Sequence, residues 1–474
     1  YWTRTVTIPL LVLTALKPKA VNPRKVMIDE LFLKPPDEED YKLANPTDHW
    51  VGDVMLGLDR IAKYCEPLIP RALTRKAIDK AMGFVHERLN GENGLGGIFP
   101  AMANSLMAFK ALGYSADHPD VVTARKALDR LLVVEGDSAY CQPCVSPIWD
   151  TGLAAHALME AKPIGESPAL RLACDWLTDR QVLDVAGDWI SKRPEIRPGG
   201  WAFQYRNDHY PDVDDTAVVV MALHRTRDRA YDEAIRSGTE WVLGMQSNNG
   251  GWAAFDVDNE YTILEHMPFA DHGALLDPPT ADVTARCVGM LAQLGWREDH
   301  PQMSRALAFL KSEQEKDGSW YGRWGTNYVY GTWSVLAALN GAGEDMQAPY
   351  IRRAVDWIKS RQMDDGGWGE DCASYWDQRK LEVKAATPSQ TAWALLALMA
   401  AGEVDSEAVA GGVKYLTDYF TEKGGWRDEY YNAVGFPRVF FLRYHGYASY
   451  FPLWALARYR NLRGRNNSRT DLGL

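Results

Sequence analysis

The feature that most constrains the fold of this chain is an internal repeat. Its unit is an aromatic residue, a Gln five positions later, and a Gly-rich turn that ends in Trp six positions after the Gln. Three copies keep this spacing and two are looser: Trp241–Trp252, Phe309–Trp320 and Trp357–Trp368, then Trp176–Trp189 and Tyr415–Trp426. We interpret each copy as a helix end, a tight turn and an aromatic that packs on the next repeat, with the Gln amide bonding unpaired backbone groups.

A second element, a Thr near the start of an apolar helix, follows the repeats. It occurs at Thr151, Thr216, Thr284, Thr332 and Thr391, and a sixth apolar helix lies near Phe451–Tyr459. These helices are apolar on nearly all sides, which predicts burial on every side. More amphipathic helices such as Ala234–Met245 lie between them. The pattern predicts an all-α chain with an α/α toroid, a complete α6/α6 barrel over residues 149–474.

Residues 1–148 carry a weaker version of the same pattern. We expect three further buried helices, at Thr3–Leu16, His49–Cys65 and Asn104–Leu112, and a solvated loop at Pro35–Asp40. Three inner helices make half of a barrel, so this region is predicted to be part of a second α/α barrel. Because the chain begins at Tyr1 in what reads as the middle of a helix, we expect it to be a fragment whose N-terminal part is missing.

Three carboxylates occur within four residues in the segment Asp212-Val213-Asp214-Asp215-Thr216-Ala217, the acid box, which precedes an apolar run. Asp212 is placed to cap a buried helix, with Asp214 and Asp215 in its first turn. Three carboxyl groups this close do not all ionise easily, because their negative charges repel, so one of them is expected to keep its proton above its ordinary pKa. The acid box is therefore read either as a crowded helix start or as a proton donor.

Composition excludes several classes of function. The net charge of −11 disfavours a nucleic-acid partner. Six Cys in 474 residues do not form a disulfide framework, and the lone pair Cys141 and Cys144 predicts no metal site. No apolar run reaches the length of a membrane span. The chain does contain 18 Trp, 22 Tyr and 13 Phe, so it either packs very large side chains or presents π-faces to a ligand.

Several motifs together resemble the squalene–hopene cyclases, a family of class II triterpene cyclases, over the whole chain. They are the acid box, the Gln…Trp repeats, Pro147–Gly152, Gly322–Tyr330, and the tract from Gly435-Phe436-Pro437 through Phe440 and Tyr444 to Tyr447. The resemblance implies that squalene folds in an apolar cavity, that a terminal alkene is protonated, and that a cationic polycyclisation gives hopene or hopanol without a cofactor. The acid box differs from the Asp-Cys-Thr-Ala version used on oxidosqualene, which favours squalene itself.

The resemblance also assigns residues. Asp214 is the expected donor, Asp212 and Asp215 flank it, and Asp282 opens the Asp-Val-Thr box of the family. Well-known members place a His where this chain has Arg286, a permanent cation expected to pair with Asp282 or a flanking carboxylate and leave Asp214 protonated. Residues expected to line the substrate site are Trp2, Ile98, Trp149, Phe203, Phe255, Trp324, Tyr330, Phe436, Phe440, Tyr444 and Tyr447.

The same resemblance concerns access and partners. Phe269 and Ala270 match the channel constriction of the family, and Phe99 stands where some members have a Gln that holds the terminating water. Squalene and a membrane lipid surface are the implied partners, a homodimer is possible, and the expected location is the cytoplasmic face of a bacterial cell membrane, as a peripheral or monotopic protein. Residues 50–58, an apolar segment, are read either as the membrane surface or as an ordinary barrel helix.

Two other functions compete with this interpretation. A class II cyclase could act on another polyprene, and cavity volume would distinguish it. A non-catalytic α/α toroid could bind a ligand, although it would not need three clustered acids in an apolar site. A class I synthase is disfavoured because no acid stands three residues after Asp215, as its Asp-Asp-x-x-Asp site requires, and no zinc ligand set of a prenyltransferase subunit stands out.

Overall fold

The computed structural model describes residues 2–19, 21–45, 47–162, 167–267, 275–376, 379–380, 382–383, 385–465 and 474. The chain forms two compact units. One comprises Tyr1–Val145 with Glu260–Leu276, and the other comprises Ser146–Asn259 with Asp277–Leu474. The segment Glu260–Leu276 thus groups with the first unit, whereas the functional division into a partial and a catalytic barrel stays a prediction.

The first unit is a small helical body with one hairpin. Its helices are α1 (Arg4–Leu16), α2 (Trp50–Cys65), α3 (Arg71–Glu87), α4 (Phe99–Ala111) and α5 (Pro119–Asp129), and its antiparallel strands are β1 (Leu132–Glu135) and β2 (Ser138–Cys141). Helix α1 packs on α3 and α4, and α4 packs on α5. The core between these helices is built from residues such as Val12, Val85 and Phe109.

The second unit contains a closed ring of inner helices. Within the described residues these are α6 (Pro147–Ala161), α8 (Val213–Arg225), α10 (Ala281–Gln293), α12 (Tyr328–Ala342), α14 (Pro388–Ala400) and α16 (Tyr447–Arg465). Each contacts the next, and α16 contacts α6, so the ring closes. All residues of α12 from Tyr328 to Asn340 are buried, as are all residues of α14. The expectation of helices buried on every side is confirmed for these two.

An outer layer surrounds this ring. The described part of the unit has five outer helices, α7 (Pro168–Thr178), α9 (Asp232–Gly244), α11 (Pro301–Ser312), α13 (Pro349–Ser360) and α15 (Glu407–Lys423), where six were expected. Residues 466–473, after α16, lie outside the described part. Each outer helix packs on an inner helix that precedes or follows it in the chain. The α/α toroid predicted from the repeat is confirmed.

The Gln of the repeat joins its own turn to the next outer helix. In the copy at Gln314, Nε2 donates to the carbonyl oxygens of Gly318 and Tyr350, both at 2.8 Å. Gln246 does the same with Gly250 and Gln302. Each second acceptor lies in the first turn of an outer helix, α13 or α11. The predicted role of the Gln amide at backbone groups is therefore confirmed.

The Trp of the repeat joins the outer helix to the inner one. The indole Nε1 of Trp320 donates to the Leu310 carbonyl at 2.7 Å, and its backbone N–H donates to Oγ1 of Thr332 at 3.0 Å. Trp252 repeats both bonds, with Val242 and Thr284. The two sequence elements of the repeat are thus one hydrogen-bonded unit that fixes the start of each inner helix.

The first copy of the repeat was assigned wrongly. Trp189 was expected to end it, but Trp201 occupies the place, donating from Nε1 to Leu177 and from its backbone N–H to Thr216. Gln181 accordingly bonds the carbonyl oxygen of Gly199. An insertion before Gly199 displaces the turn, and the earlier Gly187-Asp188-Trp189 imitates its sequence.

The helix predicted at His49–Cys65 forms as α2, but it is not buried. Only Val51 and Gly52 are buried, and one face carries the exposed side chains of Trp50, Val54, Leu58 and Ile61. Its sequence is apolar enough to suggest a core position, but no other helix covers this face among the described residues of the unit. None of the described helices is long and apolar enough to cross a membrane.

Candidate active site

The acid box forms the amino end of α8. Asp212 is the N-cap, in an extended backbone conformation, and its Oδ1 accepts the backbone N–H groups of Asp214 at 2.7 Å and Asp215 at 3.2 Å. The Asp212 N–H in turn donates to the carbonyl of Trp201 at 2.7 Å. The predicted cap is confirmed.

Asp214 is buried and has a cationic partner. Its side chain is 8% exposed, and Oδ1 accepts a hydrogen bond from Nε of Arg286 on α10 at 3.0 Å. Burial raises the pKa of Asp214 to about 6, with Arg286 opposing the shift and Asp282 adding to it. The carboxyl therefore holds its proton far better than an exposed Asp, while a fixed cation stands ready to stabilise the anion.

Arg286 is placed differently from the expectation. It was predicted to pair with Asp282 or a flanking carboxylate, but it bonds Asp214 itself, and its Nη2 donates to the hydroxyl of Tyr330 at 2.7 Å. The reason is the register of α8 beside α10, which brings position 286 next to 214. The guanidinium carbon also lies 5.0 Å from the ring centre of Trp333 and 5.6 Å from that of Trp149. These rings accommodate a buried cation.

Asp282 is occupied by other partners. Its Oδ1 accepts the Thr280 hydroxyl at 2.6 Å, and its Oδ2 accepts the backbone N–H groups of Arg323 and Trp324, both at 2.9 Å. Asp282 therefore affects the pKa of Asp214 through its charge and not through a hydrogen bond, because its hydrogen bonds go to Thr280 and to the segment that carries Trp324.

The other two carboxyls of the acid box favour their protonated forms. Burial, followed by the charge of Asp214, raises the pKa of Asp212 well above its ordinary value. Burial, followed by the charges of Asp212 and Asp214, does the same to the pKa of Asp215. Oδ1 of Asp215 is buried without a hydrogen-bond partner among the described residues, a position that an ionised oxygen would occupy only at high free energy.

The structure brings most of the expected lining residues of the second unit into contacting pairs. Phe203 and Tyr444 meet edge to face at 6.2 Å, and Phe255 and Trp324 do so at 6.2 Å. The remaining contacts pair Phe436 with Phe440 at 6.1 Å, Tyr444 with Tyr447 at 4.8 Å, and Nε1 of Trp149 with the hydroxyl of Tyr447 at 2.8 Å. We call these rings the aromatic cluster; one of them, Trp149, lies beside Arg286, the partner of Asp214.

A hairpin that the sequence did not predict positions part of this cluster. Strands β3 (Ala433–Phe436) and β4 (Phe440–Leu442) pair antiparallel and hold Phe436 opposite Phe440. The N–H of Val434 donates to the carbonyl of Trp324 at 3.0 Å, so the hairpin is tied to the segment that Asp282 holds.

Four expected residues are not part of this cluster as described. Trp2 and Ile98 belong to the first compact unit, where both are partly buried. Phe269 and Ala270, the expected channel constriction, lie outside the described residues.

Sequence reasoning missed two groups near the site. Trp333 stands three residues after Tyr330 on α12, a helical spacing that could have identified it, and it stacks on Trp393 at 6.3 Å. Asp277 gave no signal, although its Oδ2 accepts the backbone N–H of Phe255 at 2.7 Å. No group of three or more His, Cys, Asp or Glu side chains that could hold a metal occurs among the described residues.

Comparison with known proteins agrees with this architecture. The family model of the squalene-hopene cyclase C-terminal domain matches residues 145–461, and that of the N-terminal domain matches residues 1–137. The chain is 55% identical to a squalene–hopene cyclase of Bradyrhizobium diazoefficiens, over 100% of this chain and 73% of that protein. It is 42% identical to a squalene–hopene cyclase of Alicyclobacillus acidocaldarius, over 97% of this chain and 72% of that protein.

A solved structure supports the fold alone. An ent-copalyl diphosphate synthase from Streptomyces platensis superimposes with a TM-score of 0.51 at 19% identity, over 77% of this chain and 59% of that one. An α/α toroid of this kind, with the matching cyclase domains, defines an enzyme of the terpene cyclase type. Within that class, the chain belongs to the squalene–hopene cyclase family.

Proposed function

We propose that this protein cyclises squalene and that Asp214 supplies the initiating proton. The observation that carries the proposal is a buried carboxyl with a pKa of about 6, bonded to a buried guanidinium and surrounded by aromatic rings. Burial and the Arg286 guanidinium act at different stages of the reaction. Burial keeps the proton on Asp214 before reaction, and Arg286 stabilises the carboxylate once the proton has left.

The first step transfers one proton and moves one electron pair. The π electrons of a terminal double bond of squalene form a new C–H bond to the acidic proton, the O–H pair stays on Asp214, and a tertiary carbocation remains. The substrate gains one positive charge and Asp214 one negative charge, and the raised pKa values of Asp212 and Asp215 oppose the formation of further carboxylates in the acid box. Successive alkenes then close rings, and proton loss gives hopene while water capture gives hopanol.

The aromatic cluster supports the later steps. A cation in a site without water can be stabilised by π-faces, at about 2 kcal/mol or more for a desolvated ring. Phe203, Phe255 and Trp324 are only partly buried, so part of each residue stays accessible rather than packed in the core. Trp2 and Ile98 as lining residues, and Phe269 with Ala270 as the channel constriction, remain proposals that rest on the family resemblance.

Asp214→Asn in the full-length gene product tests the proposal. Incubation with squalene and gas chromatography–mass spectrometry of the products should show turnover reduced by about 10²- to 10⁴-fold or more, the range for loss of a general acid. Glu160→Gln is the control. Glu160 is a buried carboxylate at the carboxyl end of α6, and it bonds Arg225 and Arg458 rather than any residue of the acid box. Wild-type turnover in Asp214→Asn would show that another group is the acid.

We further propose that the protein docks on a lipid surface at the cytoplasmic face of the membrane, as a peripheral protein. Squalene is insoluble in water, and the exposed face of α2 is apolar over about three turns, with Trp50, Val54, Leu58 and Ile61 exposed by 68%, 48%, 54% and 62%. A helix with such a face binds lipid through its buried apolar area.

Vesicle flotation tests this docking surface. Leu58→Glu with Ile61→Glu should reduce the bound fraction by at least about tenfold, since each charge opposes burial in lipid. Leu172→Glu, at an equally exposed Leu on α7, should leave binding unchanged. Equal binding of the α2 variant and the wild type would assign the contact to another surface.

A further inference from the structure

Asp277 lies outside the acid box and has no part in the proton transfer proposed above. It is buried, and a single carboxylate oxygen, Oδ2, accepts the backbone N–H groups of Phe255 at 2.7 Å and Asp256 at 2.9 Å. Burial, followed by the charge of Asp256, raises the pKa of Asp277 to about 7. The fold thus keeps a carboxyl in a buried place where its hydrogen bonds fix the peptide groups on both sides of one aromatic residue.

The same segment is held from its other side by the acid box. The N–H of Val213, between Asp212 and Asp214, donates to the carbonyl of Ala254 at 2.8 Å. Two consecutive residues, Ala254 and Phe255, are therefore tied in opposite directions, one to α8 and one to Asp277. A segment restrained at adjacent positions has little freedom to rotate its side chain away from the site.

Asp282 holds the partner ring in an equivalent way. Its Oδ2 accepts the consecutive N–H groups of Arg323 and Trp324, and the Trp324 carbonyl accepts the N–H of Val434. The Phe255 and Trp324 rings meet edge to face, with centroids 6.2 Å apart and planes at 83°. Each ring of this pair therefore has one buried carboxylate that bonds its own backbone N–H.

We propose that Asp277 is a positioning residue of the cyclisation, which holds the Phe255 ring against Trp324 and so determines how far ring closure proceeds. This proposal rests on the proposed function. Cation–π attraction requires the cation within about 6 Å of the ring centre, so a displaced ring stabilises its carbocation less. Ring closure then slows relative to the competing loss of a C–H proton to water, in which the C–H electron pair becomes a new double bond and a partly cyclised hydrocarbon leaves.

The experiment compares Asp277→Ala and Asp277→Asn in the full-length gene product, with squalene as the probe. Alanine removes the acceptor, and we expect the ratio of partly cyclised to fully cyclised products to rise on the order of tenfold, which corresponds to about 1.4 kcal/mol between the two competing barriers. Asparagine keeps an oxygen that can accept both N–H groups, so its product ratio should return close to that of the wild type.

Two controls separate positioning from stability. Glu160→Gln should lower the free energy of unfolding without changing the product ratio, because Glu160 bonds Arg225 and Arg458 and none of the site aromatics. In a Phe255→Leu background, Asp277→Ala should cause little further change in the ratio, since the ring that Asp277 positions is already absent. If Asp277→Ala is insoluble, Asp277→Ser, whose hydroxyl is too short to reach both N–H groups, is measured in its place.

The outcomes are distinct. An unchanged product ratio in Asp277→Ala, with lower total turnover, would make Asp277 a purely structural residue and overturn the proposal. Equal effects of Asp277→Ala with and without the Phe255 ring would also overturn it. A wild-type protein that forms no squalene-derived product would instead refute the proposed function, before any variant is considered.

Discussion

The pairing of Asp214 with Arg286 makes a prediction that can be tested without measuring turnover. A double-mutant cycle of Asp214→Asn and Arg286→Met gives the coupling free energy between the two side chains. Their contact at 3.0 Å between Nε and Oδ1 is buried, and two unit charges about 4 Å apart interact by about 4 kcal/mol at an effective dielectric constant of about 20. One pKa unit corresponds to about 1.4 kcal/mol, so loss of this interaction in Arg286→Met should raise the pKa of Asp214 by about three units, to about 9.

The coupling should therefore depend on pH. Below pH 6 Asp214 is neutral both with Arg286 and in the Arg286→Met variant, so the coupling consists only of a hydrogen bond of about 1 kcal/mol. Above pH 6 the wild type ionises while the Arg286→Met variant still does not, and the coupling grows by about 1.4 kcal/mol per pH unit, reaching about 3 kcal/mol more at pH 8 than at pH 5. Urea unfolding of the four proteins at both pH values measures it.

A second ion pair supplies the matched control. Glu160 and Arg225 are equally buried, at 3.1 Å, but the arginines around Glu160 overcome burial and lower its pKa to about 2. Glu160→Gln with Arg225→Met should therefore give the same coupling at pH 5 and pH 8. A coupling between Asp214 and Arg286 that is equally large at both pH values would refute the reasoning, because it would mean that Asp214 is a permanent carboxylate and not a proton donor.

Three further outcomes follow from the same structure. The rate of squalene cyclisation should fall as pH rises above 6, since about one tenth of Asp214 carries its proton at pH 7, and initial rates from pH 5 to 8 measure this. The pKa of Asp214 is raised in the folded state, so its contribution to stability is complete below pH 3.8 and is lost as pH rises through about 6. Asp214→Asn should remove this loss, which amounts to about 3 kcal/mol in the free energy of urea unfolding measured against pH. Gln314→Ala removes the bond from the Gln314 amide to its own turn at Gly318 and the bonds to Tyr350 and Arg353 on α13, and it should lower the free energy of unfolding by about 1–3 kcal/mol in urea, with an unchanged product ratio.

The repeat and the acid-box cap could be predicted because both depend on short stretches of chain. The spacing from Gln314 to Trp320 fixes which backbone groups lie within reach, and the cap at Asp212 bonds N–H groups two and three residues later. Copies with the same spacing repeat the same bonds. The assignment failed at Trp189, where an insertion separates Gln181 from its turn and local spacing no longer carries the information.

The contacts of the individual buried carboxyls could not be predicted, because they depend on how helices and loops that are far apart in the sequence lie against each other. Arg286 lies 72 positions from Asp214, and Asp277 lies 22 positions from Phe255. The carboxylate that Arg286 meets depends on the axial register of neighbouring helices, and the backbone groups that Asp277 meets depend on the path of a loop. The exposed face of α2 was misjudged for a related reason, since an apolar helix face has the same sequence whether another helix covers it or not.

The structure gives a reason why one carboxyl of the acid box, rather than any of the three, is suited to give up its proton. All three are buried, which raises each pKa, but among the described residues only Asp214 of the acid box bonds a cation, and that cation opposes the rise of its pKa, which is about 6. Titratable groups whose environments separate their pKa values take different chemical roles. Asp214 is thus the carboxyl whose anion a cation stabilises, while burial and the charge of an ionised Asp214 oppose ionisation of its two neighbours. In the proposed reaction, further ionised carboxyls of the acid box would hold the new carbocation at its first carbon, so the raised pKa values of Asp212 and Asp215 favour migration of the charge along the alkenes towards the aromatic cluster.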